Sequence, residues 1–213
     1  MISISNLWKS QSPDNWNSAL KNYWNYVNPK NIALEQELND LQINQIINFS
    51  QIEWYNFLHD RYFRWKYTAP NRYVTTTRSL KKYKELNQLD ILFDIKKRLM
   101  NFDTSDISKG LSIAKEIKGL GFSGASGLLS LIYPNHFGTI DQFAVKALCQ
   151  IPELPEIKEI EKMNPENLTL INGILLINIM IKKAKENNNI FGGDFWTPRK
   201  IDMILWASRQ KNE

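Results

Sequence analysis

The sequence predicts an all-α, mostly helical protein, and three observations carry that expectation. Apolar residues recur at helical spacing along most of the 213 residues. Proline, asparagine and glycine punctuate those runs, and strand signals are scarce. A composition that is 43% hydrophobic and 12% aromatic suits a chain with a real core rather than a disordered one.

The elements run in order along the chain. "PDNWNSALKNYWNYV" opens with Pro13 and Asp14 and carries Trp16, Leu20, Tyr23, Trp24 and Val27 at helical spacing. "SQIEWYNFLHDRYFRWKY" continues in the same way until Pro70 and Asn71 break it. "RYVTTT" at 72–77 is the one fair strand candidate, and its threonines offer hydroxyl caps to a helix over "RSLKKYKELNQLDILFDIKKRLM". "TSDISKGLSIAKEI" reads as a helix running into glycines. After it come "SGASGLLSLIYP", a loop "NHFGT", and the helical "IDQFAVKALCQI". A proline-punctuated connection, "PELPEIKEIEKMNPEN", leads to the apolar helix "LINGILLINIMI" at 170–181. The final helix has Thr197 as its cap and Pro198 at its first position.

Several function classes are excluded at this level. The lone Cys149 allows neither a disulfide within the chain nor a four-cysteine metal site. His59 and His136 are too few and too scattered to suggest a metal, so no metal or other cofactor is predicted. The apolar run at 170–181 falls short of the roughly 20 residues that cross a bilayer, and "MISISNLWKS" does not read as a signal peptide. The expectation is a cytoplasmic protein without a membrane partner. Its net charge of +5 is compatible with a polyanion.

"IKGLGFSGASG" at 117–127 holds four of the nine glycines, between two helical segments. Glycine inside a helix costs about 1 kcal/mol against alanine, so helix stability does not explain them. One reading is a tight turn whose glycines allow close packing. The other is a phosphate seat, built from close backbone approach and the unpaired amides of the following helix. In that seat Ser123 and Ser126 would add hydroxyl donors, and Lys118 a charge.

Eighteen residues after Ser123 comes Asp141. Here "KGLGFSGASGLLSLIYPNHFGTIDQFAVK" resembles the helix-hairpin-helix DNA glycosylase superfamily, which includes 8-oxoguanine, adenine-mismatch and alkylated-base glycosylases. The closing "FWTPRKIDMILWA" is similar to the carboxy-terminal helix of bacterial proteins with an 8-oxoguanine-glycosylase fold. The resemblance implies two helical lobes beside a cleft, approximately 1–85 plus 187–213 and 86–186, with the hairpin at 107–133. It implies that Gly119, Gly121 and the amides through Gly124 hold a phosphate, with a monovalent cation at the hairpin. Lys146 falls where many members carry a basic residue.

By the same resemblance Asp141 is the catalytic carboxylate, stabilising positive charge on the sugar as the base leaves and orienting the attacking water. The alternative for Asp141 is helix capping, which is compatible with that role. Three departures matter. Ser123 stands where strand-cutting members have a lysine, Phe143 replaces a frequent histidine, and the cysteine cluster of one branch is missing. The expectation is therefore a monofunctional glycosylase acting on double-stranded DNA, as a monomer associated with the nucleoid. It would release an oxidised purine in repair, or a modified cytosine such as glucosylated hydroxymethylcytosine in anti-phage defence, and leave an abasic site.

"RYFRWKYTAPNRYVTTTRSLKKYK" at 61–84 has no acidic residue. Arg64, Arg72, Arg78, Lys81 and Lys82 read either as phosphate contacts or as a solvated helix face. Trp65, Phe122 and Trp196 read either as base-pocket walls or as core. Two rivals remain open. One is a non-catalytic helix-hairpin-helix DNA-binding module; the other is a nuclease, although Glu153, Glu156, Glu159 and Glu161 read as a solvated connection rather than a magnesium site.

Overall fold

In a computed structural model, which describes residues 2–209, the chain is built from α-helices with short 3-10 and π turns. No strand occurs among the described residues. The amino-terminal helices are α1 (Ile4–Trp8), α2 (Pro13–Asn22), α3 (Ile32–Asn39), α4 (Ile43–Asn48) and α5 (Gln51–Phe57). A π turn at Leu58–Tyr62 leads into α6 (Phe63–Lys66), followed by α7 (Pro70–Glu85) and α8 (Leu89–Asn101). The middle of the chain forms α9 (Ile107–Lys115), α10 (Phe122–Ile132), α11 (Gln142–Leu148) and α12 (Ile157–Ile160). Two further helices, α13 (Leu170–Phe191) and α14 (Pro198–Ala207), complete the fold.

The helix starts reflect the local chemistry of their residues. Ser50 and Glu53 form a reciprocal capping box on α5, as do Thr169 and Asn172 on α13. Asp106 caps α9, and Thr197 with Pro198 opens α14.

Several stretches differ from expectation. "RYVTTT" lies inside α7, where Thr75, Thr76 and Thr77 donate their hydroxyls to the carbonyls of Asn71, Arg72 and Tyr73 one turn back. Thr77, Leu80 and Tyr83 bury one face of that helix, and this packing overrides the β-branched preference for strand. The helix expected over 78–100 is broken between α7 and α8. Asn87 there adopts φ 53°, the left-handed conformation that ends a helix. The apolar helix at 170–181 runs on to Phe191 and stops at Gly192, with φ 79°.

The main apolar core runs from Ile4 to Leu205, with a smaller cluster of Tyr23, Val27, Met203 and Ala207 beside it. The second and last helices meet in the main core: α2 packs on α14, and the fully buried Trp16 stacks edge-on against Trp196 at 5.7 Å. Trp196 therefore belongs to the core rather than to a base pocket, and its amide donates to Asn188. Among the described residues no helix is long and apolar enough to cross a membrane.

Candidate functional site

The turn between α9 and α10 is held from below by Tyr83 of α7. Its hydroxyl accepts from Lys118 N at 3.2 Å and donates to the Glu116 carbonyl at 3.1 Å. Gly119 takes φ 100°, and a Cβ there would stand 2.6 Å from the Thr76 carbonyl oxygen. Only glycine fits both the dihedral and the approach. Gly124 and Gly127 do different work on α10. A Cβ on the first would meet the Tyr67 hydroxyl at 2.5 Å, and on the second the Tyr62 hydroxyl at 3.0 Å and Lys66 Cδ at 3.2 Å. These two glycines form a groove in which side chains of the π turn and α6 lie, with the Tyr62 hydroxyl donating to the Gly124 carbonyl.

The start of α10 is left open. Its N-cap is Gly121, which has no side chain to fold back, and the amides of Phe122, Ser123 and Gly124 find no acceptor among the described residues. Unpaired amides at the positive end of a helix dipole are able to receive an anion.

Asp141 caps α11, and its Oδ1 accepts from Phe143 N at 2.9 Å and Ala144 N at 3.0 Å. Its Oδ2 has no hydrogen bond among the described residues, and the side chain is half-buried. The run of chain before it is tied on both sides. Asp202 of α14 accepts from Thr139 N at 2.7 Å, Ser130 bonds the Thr139 hydroxyl at 3.0 Å, and Ser126 accepts from Ile140 N at 2.9 Å. Ser126, expected to donate to a phosphate, is instead fully buried and engaged with Ile140 and with the Ser123 carbonyl. It positions the segment leading to Asp141.

Asp141 and the start of α10 line one cleft of about 1500 Å³. Trp65, Phe122, Arg72, Gly119, Gly121, Ser123 and Gly124 share its wall. So do residues that carry no distinguishing mark in the sequence, namely Lys66, Lys115, Glu35, Arg199, Asp202 and Arg209. Lys66 stands inside the basic and aromatic stretch at 61–84, but nothing local sets it apart from its neighbours. The remaining expected residues lie elsewhere. The Lys118 ammonium donates to Gln88 at 2.7 Å, outside the cleft lining. Lys146 is exposed beside a second hollow of about 360 Å³. Arg64, Arg78 and Lys81 are exposed but do not line the cleft.

A buried polar network forms part of the cleft wall. Glu35 accepts from the Tyr23 hydroxyl at 2.6 Å, from Trp65 Nε1 at 2.5 Å and from Arg199 at 3.1 Å, and Arg199 also pairs with Asp202 at 2.8 Å. Burial pushes the Asp202 carboxyl up to about 6, against the opposing pull of Arg199 and Thr139 N. Burial alone would weaken the Arg199 charge, but Asp202, Tyr23 and Glu35 outweigh it and hold the guanidinium protonated. Burial pushes the Tyr67 hydroxyl up to about 12, so it acts as a donor, here to the Gly119 carbonyl at 3.3 Å. Among the described residues no cluster of three or more His, Cys, Asp or Glu is placed to hold a metal ion.

This geometry can hold an anion at the start of α10 and present a carboxylate oxygen to the same space, beside aromatic walls. Comparison with family models, with curated proteins and with solved structures finds no match to this chain.

Proposed function

We propose that this chain is a DNA glycosylase that takes a damaged or modified base out of duplex DNA and leaves an abasic site. The observation that carries the reading is the shared cleft, which both the open start of α10 and Asp141 line. Helical content, the hairpin and the packing of α2 on α14 are consistent with a glycosylase-like helical arrangement.

The amides seat a backbone phosphate next to the target nucleotide. Arg72, on the cleft wall and exposed, adds a second phosphate contact, and Trp65 and Phe122 flank the everted base. Eversion costs a few kcal/mol, which stacking on aromatic walls offsets. As the bond to the base breaks, positive charge grows on the sugar. A carboxylate about 4 Å away, at an effective dielectric near 20, stabilises that charge by about 4 kcal/mol, roughly a thousandfold in rate. Asp141 supplies it through the oxygen that capping leaves over, and the same oxygen orients the attacking water.

The substrate is an oxidised purine or a bulky modified cytosine such as glucosylated hydroxymethylcytosine. The cleft, at about 1500 Å³, exceeds the roughly 300–1,000 Å³ of ordinary small-molecule sites and leaves room for a strand and an enlarged base. A monovalent cation at the turn fits less well. The carbonyls of Ile117 and Gly119 already accept from Leu120 N and Tyr67, and no step here depends on such an ion.

The test is base release. Wild type and Asp141→Asn are incubated with duplexes carrying oxidised guanine or glucosylated hydroxymethylcytosine, and alkali-labile sites and freed bases are measured. The expected result is release by wild type of one class, lost in the variant. Equal background release from both proteins, with DNA binding retained, would favour a non-catalytic DNA-binding module.

A further inference from the structure

Lys66 ends α6 and lines the same cleft as Asp141 and the start of α10. Two features of the fold bring it there. The π turn at Leu58–Tyr62 adds a residue to a helical turn, which rotates the residues of α6 by about 100° relative to an uninterrupted helix. The missing side chain at Gly127 then leaves a channel for the Lys66 stem, whose Cδ would lie 3.2 Å from a Cβ at that position.

Two other sunken lysines behave differently. Lys96 donates to the carbonyls of Ile47 and Phe49 at 2.8 and 2.6 Å. Lys183 donates to the Trp8 carbonyl at 2.9 Å and pairs with Glu186 at 2.7 Å. Both ammonium groups serve the fold. The Lys66 amine has no hydrogen bond or ion pair among the described residues, although Asp141, Asp202 and Arg199 are near enough for their charges to act on it. Burial lowers its proton affinity, the two carboxylates oppose that and Arg199 assists it, and the net direction is down. A lysine in this state offers a larger fraction of free amine, the nucleophilic form.

Resting on the glycosylase reading, we propose that Lys66 forms an imine with the abasic sugar produced in this cleft and so gives the enzyme a second, strand-cutting activity. The amine nitrogen bonds to C1′ of the ring-opened sugar, and the aldehyde oxygen departs as water. The iminium then acidifies C2′. Loss of that proton expels the 3′ phosphate with its bonding electrons, and the strand breaks without any oxidant or reductant. The expectation of base release alone rested on Ser123, and Lys66 brings an amine to the cleft from a different helix.

The test uses the full chain and a duplex with one preformed abasic site, so it does not depend on knowing the excised base. Reduction with borohydride converts the imine to a stable amine, seen as a shifted band on a denaturing gel. Wild type is expected to give the adduct, and peptide mapping of that adduct to place the sugar on Lys66. Lys66→Met and Lys66→Arg are expected to lose at least tenfold in yield while retaining affinity for the abasic duplex. A wild type that binds the duplex without forming an adduct would overturn this inference and leave the proposed function standing. An adduct mapped to another amine, or undiminished in both variants, would also overturn it. Failure of wild type to bind the abasic duplex at all would sink both.

Discussion

The starts of α14 and α10 are built from opposite materials. At α14, Thr197 accepts from Lys200 N at 3.3 Å and Pro198 removes a donor at the first position, so the chain closes its own helix end. At α10 the cap is Gly121 and three amides stay open to a cleft. Between these extremes lies α11, where Asp141 spends one carboxylate oxygen on capping and keeps the other. A helix start closed by its own side chain contributes to stability; one left open is available to a ligand. Asp141 does both, and under the proposed function a single atom separates its structural role from its chemical one.

That separation is most easily broken at Asp141. In Asp141→Asn the amide oxygen still caps α11, since asparagine caps about as well as aspartate, while the negative charge is gone. Base release is expected to fall by roughly a thousandfold, about 4 kcal/mol, with the urea midpoint almost unmoved. Base release undiminished in Asp141→Asn would mean that capping was the only role.

The next effect concerns the support of the run before Asp141. Asp202 holds Thr139 N, and its carboxyl is raised from 3.8 to about 6. A raised acid keeps its proton longer in the folded state, so its contribution is complete below about pH 4 and is lost as pH rises through about 6. Relative to the neutral mimic Asp202→Asn, wild type should lose up to about 3 kcal/mol of stability across that window, measured by urea unfolding at a series of pH values. A constant difference between the two proteins would show that Arg199 keeps Asp202 ionised throughout.

Smaller effects sharpen the contrast between the two helix starts. Gly119→Ala places a methyl against the Thr76 carbonyl at φ 100°, and about 1–3 kcal/mol of stability should be lost together with affinity for DNA. Thr197→Ala removes an ordinary cap from α14. It should cost about 1 kcal/mol in the same unfolding assay and leave base release per folded molecule unchanged.

Much of the fold was legible because its signals are local. Trp16, Leu20 and Tyr23 recur at helical spacing, and Thr197 before Pro198 marks a helix start that is present. The glycines at 119 and 121 mark the turn, and Asp141 does cap the helix after it. Local signals misled where packing outweighed them. The threonines of α7 satisfy their hydroxyls on carbonyls one turn back, and burial of Thr77 beside Leu80 and Tyr83 holds them helical. Ser126 carried no mark to show that its hydroxyl turns inward to Ile140, and nothing in the stretch around Trp196 announced its contact with Trp16.

What the sequence by itself determined is the helical class, the turn built on Gly119 and Gly121, and the presence of a carboxylate at the start of the helix after the hairpin. Those depend on backbone dihedrals and contacts within one turn, which neighbouring residues dictate. Only the tertiary structure decided which side chains share the cleft. Lys66, Glu35 and Arg199 come to Asp141 from separate helices, by way of a π turn, a glycine groove and a buried ion network. The angle and depth at which one helix packs on another set that gathering, and these are properties of the whole core.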